Sequence, residues 1–196
     1  MDIWFTSDLH LGHKNVLAFQ NRPFDNIDEM NRSLLSSINK RVKANDILYI
    51  LGDVAYKNEG GFAAAADMIA SLRCRNVRLI LGNHDAGYAS KWSRSGLFQS
   101  VSRFEEFPAK GFGYKAELTL CHYPLLSWNR SRHNGKPNSI PSIMVHGHIH
   151  GSREDNERNA AEGVFRYDCG VDANGYAPVH IADMISFFEL SGNSTL

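Results

Sequence analysis

The sequence predicts an α/β layered domain. Two observations carry that prediction. Short, continuously apolar runs recur along the chain, with helix-period segments between the early ones, as in sheets whose strands are buried on both faces. Each of the first five runs is followed at once by polar residues of a few recurring types, and open α/β sheets place their ligand sites at that edge.

The elements follow in chain order. Ile3–Thr6 reads as a strand and leads into Asp8-Leu9-His10. From Ile27 to Lys43, apolar Ile27, Met30, Leu34, Ile38 and Val42 recur at steps of three or four, which predicts a helix. Asn26 is its N-cap, and Glu29 three residues on completes a capping-box-like start. Ile47–Leu51 is the second strand, followed by Gly52-Asp53. An alanine-rich helix over Phe62–Leu72 begins after Gly60-Gly61. The third strand, Val77–Leu81, leads to Gly82-Asn83-His84-Asp85, and the fourth, Leu118–Cys121, to His122-Tyr123-Pro124. Ile143–Val145 leads to His146-Gly147-His148-Ile149-His150-Gly151, and Val164–Tyr167 is a sixth strand. Trp128–Pro141 and Gly151–Gly163 are polar and read as loops; both flank the densest histidine cluster, so one is expected to border a site mouth.

Composition sets the outer bounds. With 196 residues, 43% hydrophobic and 21% charged, the chain fits one globular domain over residues 1–196. Lys+Arg and Asp+Glu are both 21, so there is no basic excess for an extended nucleic-acid surface, although a nucleotide needs only local charge. Cys74, Cys121 and Cys169 are odd in number and form no CxxC pair, so neither a disulfide framework nor a zinc ribbon is indicated, and small buried residues in a reducing compartment are expected. No basic segment precedes an apolar run at the N-terminus, and no apolar stretch is long enough to span a bilayer. A cytoplasmic protein without a membrane segment is expected. Nothing in the pattern bears on oligomeric state.

The residues after the strands form a chemically coherent set. Carboxylate and amide oxygens with imidazoles suit divalent Mn, Fe, Zn, Ni or Co, and the absence of cysteine argues against a structural zinc site. Taken singly, Asp-x-His or Gly-Asp is ordinarily a turn. Five such motifs in one chain, each just past a strand, are not ordinary. Gly52, Gly82, Gly147 and Gly151 beside them predict tight turns with positive φ.

In order, Asp-x-His, Gly-Asp, Gly-Asn-His-Asp, a solitary His and Gly-His-x-His resemble the calcineurin-like metallophosphoesterases, with all five motifs intact between Asp8 and His150. The resemblance implies a four-layer αββα sandwich of two mixed sheets flanked by helices. It implies two divalent ions, manganese foremost, with Asp8, His10 and His150 serving one, Asn83, His122 and His148 the other, and Asp53 bridging them. His84 would contact the substrate phosphate and help protonate the leaving oxygen, with Asp85 orienting its ring. The nucleophile would be a hydroxide activated by both metals. A phosphodiesterase or nucleotide phosphatase acting on a small phosphorylated or nucleotide-type substrate is the expected activity. A protein phosphatase or a nuclease is the alternative on the same site. A non-catalytic scaffold would be expected to have lost ligands, and none is lost.

Two further stretches, Arg22-Pro23-Phe24 and Val171-Asp172-Ala173-Asn174-Gly175-Tyr176-Ala177-Pro178, resemble a small bacterial and phage branch of that family. His146 reads as a strand-end or supporting residue, His13 as a capping or surface residue, and His133 and His180 as ordinary. Arg22, Arg130, Arg132 and Arg153 have phosphate-matching side chains, but each reads as a solvated surface charge.

Overall fold

The computed structural model describes residues 1–56, 60–136 and 138–192; the last four residues of the expected domain lie outside the described residues. Strands β1 (Ile3–Thr6), β2 (Ile47–Ile50), β3 (Asn76–Ile80) and β4 (Ser100–Ser102) run parallel, and β9 (Val179–His180) adds antiparallel to β1. Their order is β4-β3-β2-β1-β9. A second sheet, in the order β5-β6-β7-β8, pairs β5 (Phe104–Pro108) antiparallel with β6 (Glu117–Cys121), and β7 (Ser142–His146) and β8 (Arg166–Asp168) parallel with it. Helices α1 (Asn15–Phe19), α2 (Ile27–Arg41), α3 (Gly61–Ala70), α4 (Ala89–Arg94), α5 (Arg153–Ala161) and α6 (Ile181–Gly192) flank these two mixed sheets, as the resemblance implied.

Side-chain alternation explains the continuous apolar runs. Ile3 and Phe5 of β1, Ile47 and Tyr49 of β2, Leu118 and Leu120 of β6, and Ile143 and Val145 of β7 share one buried cluster between the sheets. Leu48 and Ile50 of β2 and Val77 and Leu79 of β3 point the other way, against Met30, Leu34 and Ile38 of α2 and Ala65 and Ile69 of α3. Strand β2 is thus apolar on both faces. Ala160 of α5 and Met184 and Phe188 of α6 close the inter-sheet cluster. Among the described residues no helix is long and apolar enough to cross a membrane.

The expected helix at Ile27 ends at Arg41, because Val42 turns to an extended conformation while staying buried. Asn26 caps it, its side chain accepting from Glu29 N at 2.9 Å, while Glu29 reaches back to the amide of Asp25 rather than of Asn26. Gly151–Gly163, read as a loop, contains α5. This helix is polar nearly all round, burying only Asn156 and Ala160, so no apolar stripe announces it; Asp155 accepts from Ser152 N at 2.8 Å in a capping box. β4, β5 and β9 also escape the sequence reading. All three are edge strands; β4 and β9 are short, and β5 alternates half-buried with exposed residues and ends on a proline.

Leu120→Ala should lower unfolding free energy by about 2–5 kcal/mol, since its methyls fill space between the sheets. Asn26→Ala should cost only about 0.5–2 kcal/mol, the worth of one cap. Urea denaturation of the two variants measures the contrast, and equal costs would mean the inter-sheet cluster is not tightly packed.

Candidate metal centre

Every motif residue sits just past a strand, and the two sheets bring those strand ends to one edge. Asp8 and His10 follow β1, Asp53 follows β2, Asn83 and His84 follow β3, His122 follows β6, and His148 and His150 follow β7. The sheets are stitched together here, because His122 Nδ1 donates to Leu51 O at 2.7 Å across them.

Asp53 lies at the centre of the group. Its Oδ2 is 3.7 Å from His10 Nε2, 3.6 Å from His122 Nε2 and 3.8 Å from His84 Nε2. These separations exceed hydrogen-bond contact yet leave the donor atoms aimed at common space. His10 Nε2 is buried and has no hydrogen-bond partner among the described residues. On one side, His150 Nε2 stands 3.9 Å from Asp8 Oδ1. On the other, Asn83 Oδ1 lies 3.0 Å from His122 Nε2 and 2.9 Å from His148 Nδ1. Since Leu51 O can only accept, His122 carries its proton on Nδ1 and turns the Nε2 lone pair toward Asn83 Oδ1. Two lone pairs at that distance repel unless a cation or proton lies between them. Ligand atoms of Asp8, His10 and His150 lie within 4.8 Å of one another, as do those of Asp8, Asp53 and His122.

The electrostatics point the same way. Burial pushes the Asp8 carboxyl up to about 6, against the pull of His150 and His122. Burial, and then the neighbouring His150 and Arg22, push His10 down to about 2, which keeps its imidazole neutral. His148 is likewise lowered, by burial and then by His122. A buried carboxylate in need of positive charge, close to imidazoles of which burial keeps His10 neutral and lowers His148, is a donor set that fits divalent cations.

A model of the calcineurin-like phosphoesterases matches residues 1–173. The chain belongs to that family. Its chemistry is metal-dependent phosphoester hydrolysis. An uncharacterized protein of Methanocaldococcus jannaschii is 28% identical over 188 residues, covering 95% of this chain and 91% of that protein. The gene 66 protein of Mycobacterium phage L5 is 31% identical over 167 residues, covering 75% of this chain and 76% of its own. The crystal structure of a protein of unknown function from Aquifex aeolicus superposes with a TM-score of 0.68 at 22% identity, covering 94% of this chain and 98% of that one; this likeness speaks to the fold.

Within this phosphoesterase, three expectations need correction. Asp85 does not orient the His84 ring. It is fully buried, and its Oδ2 accepts from Asp53 N and Gly82 N at 2.8 Å each while Oδ1 accepts from Val54 N at 3.1 Å. Asp85 therefore ties the β2 and β3 turns together, and the ring packed against His84 is that of Tyr56, centroids 4.1 Å apart. Arg22 is not a solvated charge: it is 4% exposed and grips Asp172 with Nε and Nη2, both at 2.8 Å. Of the four glycines expected at positive φ, only Gly52 adopts it.

The left-handed conformations fall on the site residues themselves. Among the described residues nine non-glycines have positive φ, and Asp8, His10, Asp53, His148 and His150 are five of them. Such strain concentrates where surrounding structure over-determines it. Gly82 and Gly147 are required for another reason: a Cβ would overlap the Asp53 carboxylate at the first and Ser7 Oγ and the Asp8 carboxylate at the second.

Of the unassigned residues, His146 is the buried last residue of β7, its Nδ1 2.9 Å from Gly147 O, which fits a strand-end role. His13 lies at the rim, its ring centroid 5.5 Å from that of His10 and 5.4 Å from that of Tyr56. Trp128–Pro141 is pinned to Ser142, at the end of β7 away from His146, by Trp128 and Asn134. Gly151, whose N donates to Asp168 Oδ2 at 3.0 Å, opens the segment that borders the site. Arg130 and Arg132 are exposed, and Arg153 pairs with Glu157 on the surface of α5.

Two outcomes are expected. Gly147→Ala should cost about 1–3 kcal/mol of stability through overpacking and lower the bound metal per chain. Gly111→Ala, where a Cβ meets open space, should do neither; elemental analysis and thermal melts compare them. Secondly, Asp8 must be ionised to bind a cation, so proton competition is absent well above pH 6 and grows as pH falls through it. Manganese affinity should therefore be at least about tenfold weaker at pH 5 than at pH 7.5, and a flat calorimetric profile would contradict this.

Proposed function

We propose that this chain hydrolyses phosphoester bonds in a small phosphorylated or nucleotide-type substrate, as a phosphodiesterase or nucleotide phosphatase. The observation that carries the reading is the placing of Asp53 Oδ2, between His10 Nε2 at 3.7 Å and His122 Nε2 at 3.6 Å, one from each half of the donor set. Asp8, His10 and His150 would hold one divalent ion, Asn83, His122 and His148 the other, and Asp53 both. When bound, two such ions lower the pKa of a water nucleophile and neutralise charge on the phosphoryl oxygens.

The remaining work belongs to side chains. His84 is the proton donor in this reading. Its side chain is 31% exposed, its backbone N donates to Asp53 Oδ1 at 2.9 Å, and the Tyr56 ring holds one face. The Nε2 proton would pass to the leaving oxygen as the phosphorus–oxygen bond breaks, and water supplies the oxygen added to phosphorus. Exposed Tyr123 and Ile149 stand beside His122 and His150 in the chain, so the rim is partly apolar and open, as a small organic phosphate requires. The three cysteines are free, which suits the cytoplasm.

Hydrolysis of bis-p-nitrophenyl phosphate should vanish with a chelator and return with manganese. Activity persisting after confirmed metal removal would sink the reading. A panel of cyclic nucleotides, dinucleotides, phosphomonoesters, long RNA and a phosphoprotein then tests substrate size, and preference for either polymer would overturn the small-substrate assignment.

His84→Ala should keep both metals and slow turnover by about 10²–10⁴-fold on alkoxide leaving groups. The loss should be smaller on p-nitrophenolate, which departs with little need of a proton. Equal losses on both would remove His84 as the proton donor.

A further inference from the structure

Two stretches outside the five motifs meet behind His150. Arg22 comes from the turn before α2, and Asp172 from the short helical turn Val171–Asn174. Their neighbours are packed together as well, with the rings of Phe24 and Tyr176 edge to face at 5.0 Å. The Arg22–Asp172 pair is bidentate, Nε to Oδ1 and Nη2 to Oδ2, both at 2.8 Å. Nη2 also donates to Asp8 O at 2.7 Å and Nη1 to Leu9 O at 3.3 Å. One guanidinium thus binds both the carboxylate and the left-handed turn that carries Asp8.

Asp172 has a further contact: His150 Nδ1 donates to its Oδ2 at 2.8 Å. An ionised carboxylate only accepts, so the proton must sit on Nδ1. The Nε2 lone pair is then left facing Asp8 Oδ1 at 3.9 Å. Without Asp172, either nitrogen could carry the proton and the ring could turn. Arg22 grips both carboxylate oxygens and fixes their plane, a task its fork suits and a lysine would not.

We infer that Asp172, clamped by Arg22, is a positioning residue that holds His150 in the tautomer and orientation needed to ligate the ion it shares with Asp8 and His10. This rests on the two-metal reading above. Partners of this kind behind ligating histidines typically govern metal affinity by about 10–100-fold.

Asp172→Asn is the sharp test. Arg22 would claim the amide oxygen and leave the amide NH2 facing Nδ1, which forces the proton onto Nε2 and blocks ligation. Zinc titration should give two ions per chain for the unaltered protein. The variant should show about 10–100-fold weaker binding of one ion and unchanged binding of the other. Nitrogen-15 spectra of histidine-labelled, metal-free protein at pH 8 should show His150 protonated on Nδ1, and on Nε2 in Asp172→Asn. The signal is assigned by its loss in His150→Gln. A variant binding both ions as before, with an unchanged tautomer, overturns the inference. So does an Nε2 proton in the unaltered protein, a measurement that stands even if Asp172→Asn does not fold. If the unaltered protein binds no zinc, the two-metal reading fails instead, and the tautomer still decides whether Asp172 positions the ring.

Discussion

Four carboxylates, Asp8, Asp53, Asp85 and Asp168, are buried at one edge of the two sheets, and the architecture of that edge follows from how each is compensated. An unpaired buried carboxylate is costly enough that it is neutralised, hydrogen-bonded or matched with a cation. Here each accepts backbone N–H groups, mostly from a different turn. Asp8, after β1, takes His148 N from the β7 turn, and Asp53, after β2, takes His84 N from the β3 turn. Asp85 returns the contact by accepting Asp53 N and Val54 N, and Asp168 accepts Gly151 N and Gly170 N. The turns are therefore braided through their own carboxylates.

The braid separates two kinds of acid. Asp85 has both oxygens occupied by amides and serves structure. Asp53 turns Oδ2 toward His122, His10 and His84 at 3.6, 3.7 and 3.8 Å, and Asp8 remains short of positive charge, with its carboxyl raised to about 6 by burial. What is left uncompensated lies where the imidazoles converge. A cation there relieves the desolvation cost that the amides only partly meet, so folding and metal binding share the same free energy.

Strain and close packing keep the braid in place. Five of the converging residues sit at positive φ, a conformation an ordinary residue holds only when its surroundings dictate it. The surroundings here are the Gly82 and Gly147 backbones, pressed against the carboxylates with no room for a Cβ.

The sequence by itself determined the α/β class, the central strands and the members of the cluster. Those features are local: continuous apolar runs mark strands buried on both faces, and Asp8, His10, Asp53, Asn83, His122, His148 and His150 each directly follow one. Ile27–Arg41 was legible for the same reason, as a periodic stripe with a cap. Helix α5 was not, because a polar helix held by Asn156 bonding Asp168 shows no stripe. Only the tertiary structure decided which polar groups satisfy one another. Asp85 could face the neighbouring His84 ring or backbone amides, and the buried position decides for three amides, two from the distant turn after β2 and one from Gly82 in its own turn. Arg22 and Asp172 are 150 residues apart, and nothing local to either shows that folding will bury one against the other behind His150.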